Sequence, residues 1–336
     1  MNPMRLLVTG GLGFIASNFI RYMLDTYRDI RIVNIDSLSI GSNLANLKDI
    51  KRDPRYRFVR GNIADFRVVS RIVKDVDAVV NLAAETHVDR SIANPRPFLE
   101  SNTTGTFVVL ETVRKNNPSA KIVQVSTDEI YGDIPEGSFR EEDRLKPSNP
   151  YAATKAAADM LILAYNRTYG LDAAVTRCTN NFGPYQHPEK FIPKTIVRAR
   201  LNLPAPIYGK GEQTRDWIYV LDHCEALKQV IEKGKAGAIY NISAGNEMSN
   251  IQVAESILKL LGKPIDLIEF VEDRPGHDIR YSLDSSKIRS ELGWSPNHSF
   301  AEALKETFEW YTKNESIWKR KVSRMMLHPT PWKLRW

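Results

Sequence analysis

Met4-Arg5-Leu6-Leu7-Val8-Thr9, followed without a break by Gly10-Gly11-Leu12-Gly13-Phe14-Ile15-Ala16, is the stretch from which the rest of the chain is read. The first six residues form a short apolar strand, and a helical pattern runs from the glycines to Tyr27. Strand, glycine turn and helix are what a pyrophosphate needs. Glycine permits the tight turn and the close approach, and the helix N–H groups face the anion. Gly10, Gly13, Phe14 and Ile15 are therefore candidate cofactor contacts. Ala16 stands where a third glycine would let the helix pack closest to the sheet, so the pattern departs there by one methyl group.

A second strand, Arg31 to Asp36, ends in a carboxylate about 20 residues beyond the glycines, where an acid accepts ribose hydroxyls and repels a 2′-phosphate. The cofactor expected is NAD rather than NADP. A third strand at Tyr56 to Arg60 leads into Gly61-Asn62-Ile63, where Asn62 and Ile63 suit an adenine. A fourth, Asp77 to Ala83, opens into Ala83-Ala84-Glu85-Thr86-His87, whose small residues, Ala83 first, leave room for a flat ring. The two prolines within Asn94 to Glu100 mark a helix start, and Gly105 to Arg114 continues as helix. Lys121 to Ser126 and Leu171 to Arg177 complete six strands alternating with helices, which predicts an α/β fold with a Rossmann-like, doubly wound parallel sheet. In such sheets ligands sit at the carboxyl ends of the strands.

That edge carries Ser126-Thr127-Asp128-Glu129-Ile130-Tyr131-Gly132. Tyr151 and Lys155 follow in a segment to Tyr169 that lacks Pro and Gly, so it reads as a helix with both side chains on one face. An ammonium beside a phenol favours phenolate. Bringing a phenol from pKa about 10 to about 7 takes roughly 4 kcal/mol, which a lysine and a cationic nicotinamide would supply together.

After Cys178 the texture changes to Pro-, Gly-, Asn- and aromatic-rich loops around a helix near Lys194 to Leu201. Asp222 to Lys233 reads as a helix and Ala238 to Ile242 as a strand returning to the main sheet. Asn250 to Leu261 and Ser299 to Tyr311 read as amphipathic helices of a smaller mixed α/β lobe. The expected organisation is a cofactor domain over 1–178 with 216–242 returning to it, a smaller substrate-binding lobe over 179–215 and 243–317, and a basic tail, 318–336. Arg215, Arg274 and Lys190 together suit a second diphosphate, distinct from the cofactor's.

The net charge of +7 invites a nucleic-acid reading, but Lys319, Arg320, Lys321, Arg324, Lys333 and Arg335 lie in a tail without acids. The body is near neutral, so neither nucleic acid nor membrane is expected as a partner. The tail reads as a disordered end or an interaction arm. No apolar run reaches 18 residues, and Cys178 and Cys224 are too few for a disulfide framework, which suits a reducing compartment, the cytoplasm. The histidines lack ligand spacing; Asp222-His223-Cys224 comes nearest, and no metal is expected.

Thr9-Gly10-Gly11-Leu12-Gly13-Phe14-Ile15, Asn81 to Ser91, Ser126 to Gly132, Tyr151-x-x-x-Lys155, Asn180 to Tyr185 and Arg215-Asp216-Trp217 together resemble the extended short-chain dehydrogenase/reductase family, from about Met4 to Tyr311. The Thr-Asp-Glu triplet points within it to the nucleotide-sugar 4,6-dehydratases, because its epimerases and decarboxylases usually lack the acid pair. Asn62 stands where the family often has Asp. The resemblance implies that an NDP-hexose, dTDP-glucose first, is converted to its 4-keto-6-deoxy derivative with internally recycled NAD. Thr127, Asp128, Glu129, Tyr151 and Lys155 would be the catalytic set. Glu85, His87, Asn181, Lys190, Tyr208, Arg215, Asn250, Arg274, His277 and Tyr281 would hold the substrate, His87 otherwise being a structural hydrogen-bonder. A homodimer through Pro97 to Arg114 and Tyr151 to Tyr169 is implied too. An NDP-sugar 4-epimerase or decarboxylase and a non-catalytic NAD-binding protein are the rival readings.

Overall fold

A computed structural model describes residues 4–319, 322–323 and 327–335. The first half alternates as read from the sequence: β1 (Met4–Thr9), α1 (Phe14–Thr26), β2 (Ile30–Asp36), β3 (Tyr56–Arg60), α2 (Phe66–Ile72) and β4 (Ala78–Asn81). Two short helices not foreseen as separate pieces come next, α3 (Val88–Ala93) and α4 (Arg96–Phe98). A π-helical stretch, Leu99–Thr104, joins them to α5 (Gly105–Asn116). The prolines do start a helix, but only a one-turn one. β5 (Lys121–Thr127), α6 (Pro150–Tyr169) and β6 (Ala173–Cys178) follow.

The second half contributes β7 (Asn180–Phe182), α7 (Phe191–Arg200), β8 (Ala205–Tyr208), β9 (Thr214–Tyr219), α8 (Val220–Lys233) and β10 (Ile239–Ile242). It continues with β11 (Glu247–Ser249), α9 (Asn250–Leu260), β12 (Ile268–Val271), α10 (Ser286–Leu292), α11 (Phe300–Lys313) and α12 (Glu315–Trp318). The main sheet has seven strands in the order β10-β6-β5-β4-β1-β2-β3, every pair parallel. β10 returns to the main sheet as the sequence predicts, and the structure sets it beside β6. Two small sheets, β11-β9-β7 and β12-β8, build the remainder.

Consecutive residues of β1 show why its strand is apolar throughout. Leu6 and Val8 join one core cluster with Phe19, Ile20 and Leu227, whereas Leu7 joins the other with Val79, Val109 and Ile162. Both faces of the sheet are covered, so alternation has nothing to select. Truncating such a leucine to Ala costs about 2–5 kcal/mol.

The chain runs β1-β2-β3 outward and then jumps to β4 on the other side of β1, so strand order reverses there and opens a crevice at the carboxyl ends. A buried polar chain braces that edge. Thr9 Oγ1 donates to Asn81 Oδ1 at 2.6 Å, and Asn81 Nδ2 donates to Gln124 Oε1 at 2.7 Å, each pair lying in strand register. Thr9 Oγ1 also accepts from the N–H groups of Leu82 and Ala83, which fixes the loop leaving β4. Helix α6 is delimited by its own residues: Asn149 caps it by accepting from Ala152 N at 2.9 Å, Pro150 occupies its first turn, and Gly170 at φ 68° ends it. Tyr151 therefore sits in the first turn.

Of the two expectations for the tail, the disordered end fails for its described part. Leu327 is 7% exposed and Trp332 8%, and Lys319 and Lys333 pair with Glu315 and Glu272. Aromatic and aliphatic residues placed among the basic ones give this segment a face to bury. Arg320, Lys321 and Arg324 lie outside the described residues. Among those described, no helix is long and apolar enough to cross a membrane.

Candidate active site

Two adjoining cavities lie over the carboxyl edge, one of about 390 Å³ and one of about 160 Å³. All candidate residues line one or the other. Gly10, Gly13, Phe14, Ile15, Asp36, Asn62, Ile63 and Ala83 line the larger, together with Glu85, Thr127, Asp128, Tyr151, Lys155 and Asn181. His87, Tyr208, Arg215, Asn250, Arg274, His277 and Tyr281 line the smaller. Glu129 and Lys190 border both and mark where the two meet.

The larger cavity has the features a dinucleotide requires. No side chain caps the N-terminus of α1 and no acid lies in its first turn, so the helix end faces the space with its positive pole uncompensated. Gly10, at φ 66°, passes so close to the loop after β4 that a Cβ would stand 2.7 Å from Ala83 Cα. Asp36 accepts from Leu12 N (3.0 Å), Leu38 N (2.8 Å) and Ser42 Oγ (2.7 Å). It thereby shapes the turn as well as facing the cavity, with three of roughly four acceptor positions used. Asn62 caps its own loop through Ala64 N and still borders the space. These residues fit NAD.

β5 delivers the acids. Thr127, its last residue, caps the short 3-10 turn Asp128–Tyr131, and its hydroxyl donates to Asp128 Oδ1 at 3.0 Å. Asp128 is 2% exposed, and its Oδ2 and Glu129 Oε2 are buried without a hydrogen-bond partner among the described residues. Burial first, and the neighbouring Glu129 second, push the Asp128 carboxyl up to about 8. Burial also raises Glu129, against the pull of Arg274, Lys190 and Arg215. A carboxyl held protonated at neutral pH and a second one made more basic have the properties that a general acid and a general base require.

The phenol and ammonium behave differently from the sequence expectation. Burial, then the charge of Glu129, hold Tyr151 well above its ordinary value, with the Thr127 hydroxyl pulling the other way. Lys155 donates from Nζ to the carbonyl oxygen of Val125 at 2.6 Å, and burial lowers its own pKa. The two share the helix face as predicted, but the ammonium is held by the backbone and by the nearby charge of Asp159 rather than by the phenol. The protein alone therefore keeps Tyr151 protonated.

The smaller cavity is cationic, but its cations are restrained. Arg274 Nη1 donates to Asp89 Oδ1 at 2.9 Å, and Tyr208 Oη donates to Asp89 Oδ2 at 3.0 Å. Burial would raise Asp89, yet His87 and Arg274 outweigh it and hold the carboxyl down at about 2. His87 is itself lowered to about 4 by burial, so at neutral pH Arg274 supplies the charge. Arg215 stacks on Tyr281 at 4.3 Å and binds three backbone carbonyls, those of Thr214, Asp278 and Ile279. Lys190 Nζ donates to Thr86 O at 2.7 Å. Arg280, in the same sequence stretch as Arg274, turns away to Glu247. Asp222 and His223 do not converge: Asp222 binds His298 and His223 binds Asn181.

Asp89 is the residue that sequence reading passed over. It lies within the quoted motif, but its partners are 119 and 185 residues away, and only the packing of α3 against the second half brings them together. Glu189, in a buried ion pair with Arg90, was passed over too.

Comparison with known proteins agrees with this geometry. The family described as GDP-mannose 4,6 dehydratase matches residues 7–307. A dTDP-glucose 4,6-dehydratase of Streptomyces niveus is 48% identical, covering 94% of this chain and 95% of its own. The low-salt glycan biosynthesis protein Agl12 of Haloferax volcanii is 47% identical, covering 92% and 98%. The crystal structure of DesIV, a dTDP-glucose 4,6-dehydratase from Streptomyces venezuelae with NAD and TYD bound, superposes with a TM-score of 0.93 at 45% identity, over 95% of this chain and all of that one. The strand–glycine–helix start, the acid pair closing β5 and the tyrosine–lysine helix thus stand in a chain that belongs to the GDP-mannose 4,6-dehydratase family of NAD-dependent nucleotide-sugar enzymes.

Proposed function

We propose that the chain is an NAD-dependent 4,6-dehydratase of an NDP-hexose, dTDP-glucose first. The observation that carries the reading is the pair Asp128 and Glu129, each with an unpartnered buried oxygen, bordering the same cavity as Tyr151. The names of the similar proteins support the substrate.

Bound NAD supplies an acceptor for the C4 hydride, the hydride later delivered to C6, and a positive charge that offsets the burial of Tyr151. As phenolate, Tyr151 takes the proton of the sugar 4-hydroxyl while Thr127 orients that group and Lys155 anchors the ribose. The 4-ketone acidifies the C5 proton, which Glu129 removes. Asp128, protonated at neutral pH, gives its proton to the departing 6-hydroxyl, and water leaves. Glu129 returns its proton to C5 when C6 is reduced. Tyr151 has gained the proton that Asp128 gave up, so a proton passing between them closes the cycle. Arg274, Arg215 and Lys190 would hold the diphosphate, with Glu85, His87, Asn181, Tyr208, Asn250, His277 and Tyr281 around the sugar and base.

The division of labour follows the chain: 1–178 with 216–242 for the cofactor, and 179–215 with 243–317 for the nucleotide sugar. Exposed Leu99, Phe107, Met160 and Tyr169 on and beside α5 and α6 favour a homodimer across those helices, to be checked by light scattering. Two free, buried cysteines favour the cytoplasm. Incubation with a panel of NDP-hexoses, weighing the products, tests the function. Loss of water from dTDP-glucose is the expected result; an isomer of unchanged mass would make the chain an epimerase, and binding without turnover would end the enzyme reading.

A further inference from the structure

The segment after residue 307 lies beyond the family match, yet its far end is fastened to the smaller cavity. Trp332 meets the ring of Tyr208 edge to face, with centroids 4.8 Å apart at 83°, while His277 flanks the same ring from 6.0 Å. The turn Pro331–Lys333 packs against α3, the helix that carries Asp89. Arg198 Nη1 donates to Leu327 O at 2.6 Å and Lys194 Nζ donates to His328 O at 3.3 Å. Lys333 pairs with Glu272, two residues before Arg274. Lys194, Tyr208, Asp89 and Arg274 all line the smaller cavity, whereas Trp332 does not.

We propose that the C-terminal segment Leu327–Leu334 is a positioning element for the nucleotide diphosphate, acting through Tyr208 and Asp89. Trp332 confines the Tyr208 ring so that its hydroxyl stays on Asp89 Oδ2. Asp89 is then held with Oδ1 toward Arg274, and the guanidinium keeps one orientation in the cavity. Without the tryptophan, Tyr208 gains rotameric freedom that must be lost again on binding, so affinity falls while the acids and Tyr151 are untouched. The inference rests on reading the smaller cavity as the nucleotide-sugar site.

The test uses the full-length NAD-bound protein, Trp332→Ala and Trp332→Phe. Titration with dTDP and steady-state dehydration of dTDP-glucose are measured beside the thermal midpoint and NAD content. The expected result is a Kd for dTDP and a KM raised about tenfold in Trp332→Ala, with kcat within twofold, NAD content unchanged, a midpoint lowered by no more than about 4–7 °C, and most of the affinity restored in Trp332→Phe. Equal dTDP affinity in wild type and Trp332→Ala would overturn the proposal, as would a fall in kcat and thermal midpoint with no change in KM. Failure of the wild type itself to bind dTDP would overturn the nucleotide reading of the cavity, and the proposal with it.

Discussion

Replacing Asp128 by Asn removes an ionisable group while keeping an oxygen for the Thr127 hydroxyl, and its consequence depends on pH. The carboxyl rises from 3.8 to about 8, because burial and Glu129 disfavour its charge. Folded protein therefore binds this proton more tightly than unfolded chain. Its contribution is fully present below pH about 4 and is lost as pH climbs through about 8. Between pH 5 and pH 8.5 about three of these four pH units apply, which at about 1.4 kcal/mol each set a ceiling of ~4 kcal/mol, and relaxation with water entry reduces it to about a third, ~1–2 kcal/mol. For a chain of this length the unfolding entropy is about 0.7 kcal/mol/K, so the difference amounts to ~2 °C. Thermal unfolding of NAD-free wild type and Asp128→Asn at pH 5 and pH 8.5 is the assay. The variant's midpoint relative to wild type should be about 2 °C more favourable at the higher pH. A midpoint difference independent of pH, or moving the opposite way, would refute the account of Asp128 as a carboxyl kept neutral by burial. In turnover the same variant should lose about 10²–10⁴-fold in dehydration while still reducing NAD, and wild-type dehydration should decline above pH about 8.

Glu129→Gln should reduce bound NAD on addition of substrate yet release little dehydrated product, read by absorbance of the reduced cofactor beside product mass; full dehydration removes Glu129 from its role. Gly10→Ala places a Cβ 2.7 Å from Ala83 Cα at φ 66°. It should cost roughly 2–4 kcal/mol and strip NAD from the purified protein, whereas a stable, NAD-loaded variant would contradict the close approach. Arg274→Lys keeps the charge but loses the planar fork, so KM for the nucleotide sugar should rise about tenfold with little change in kcat, and an unchanged KM would take the diphosphate away from Arg274.

The parts legible in the sequence were those whose physics is local. A strand, three glycines and a helix follow one another in β1 and α1, and Asp128 and Glu129 are neighbours at the end of an apolar run. Helix α3 escaped because six residues are too few for a periodic pattern to emerge. The Lys155 contact escaped for another reason: its partner is a main-chain carbonyl, which no residue letter records. Tyr151 was expected to be acidified by its neighbour on the helix, but the burial that opposes it is a property of the assembled pocket. The tail was read by charge alone, although Leu327, Pro331 and Trp332 are the residues that bind it down.

The placement of β10 has a consequence for anyone who would take the protein apart. Residues 239–242 travel back from the second half to cover the outer side of β6, four residue pairs in register. Cutting the gene after Cys178 would therefore strand β6 as a bare, apolar rim with unpaired amides, a template for fibrillar association. The two halves cannot be traded between relatives as independent cassettes; a working chimera would have to carry β10 along with its partner strand.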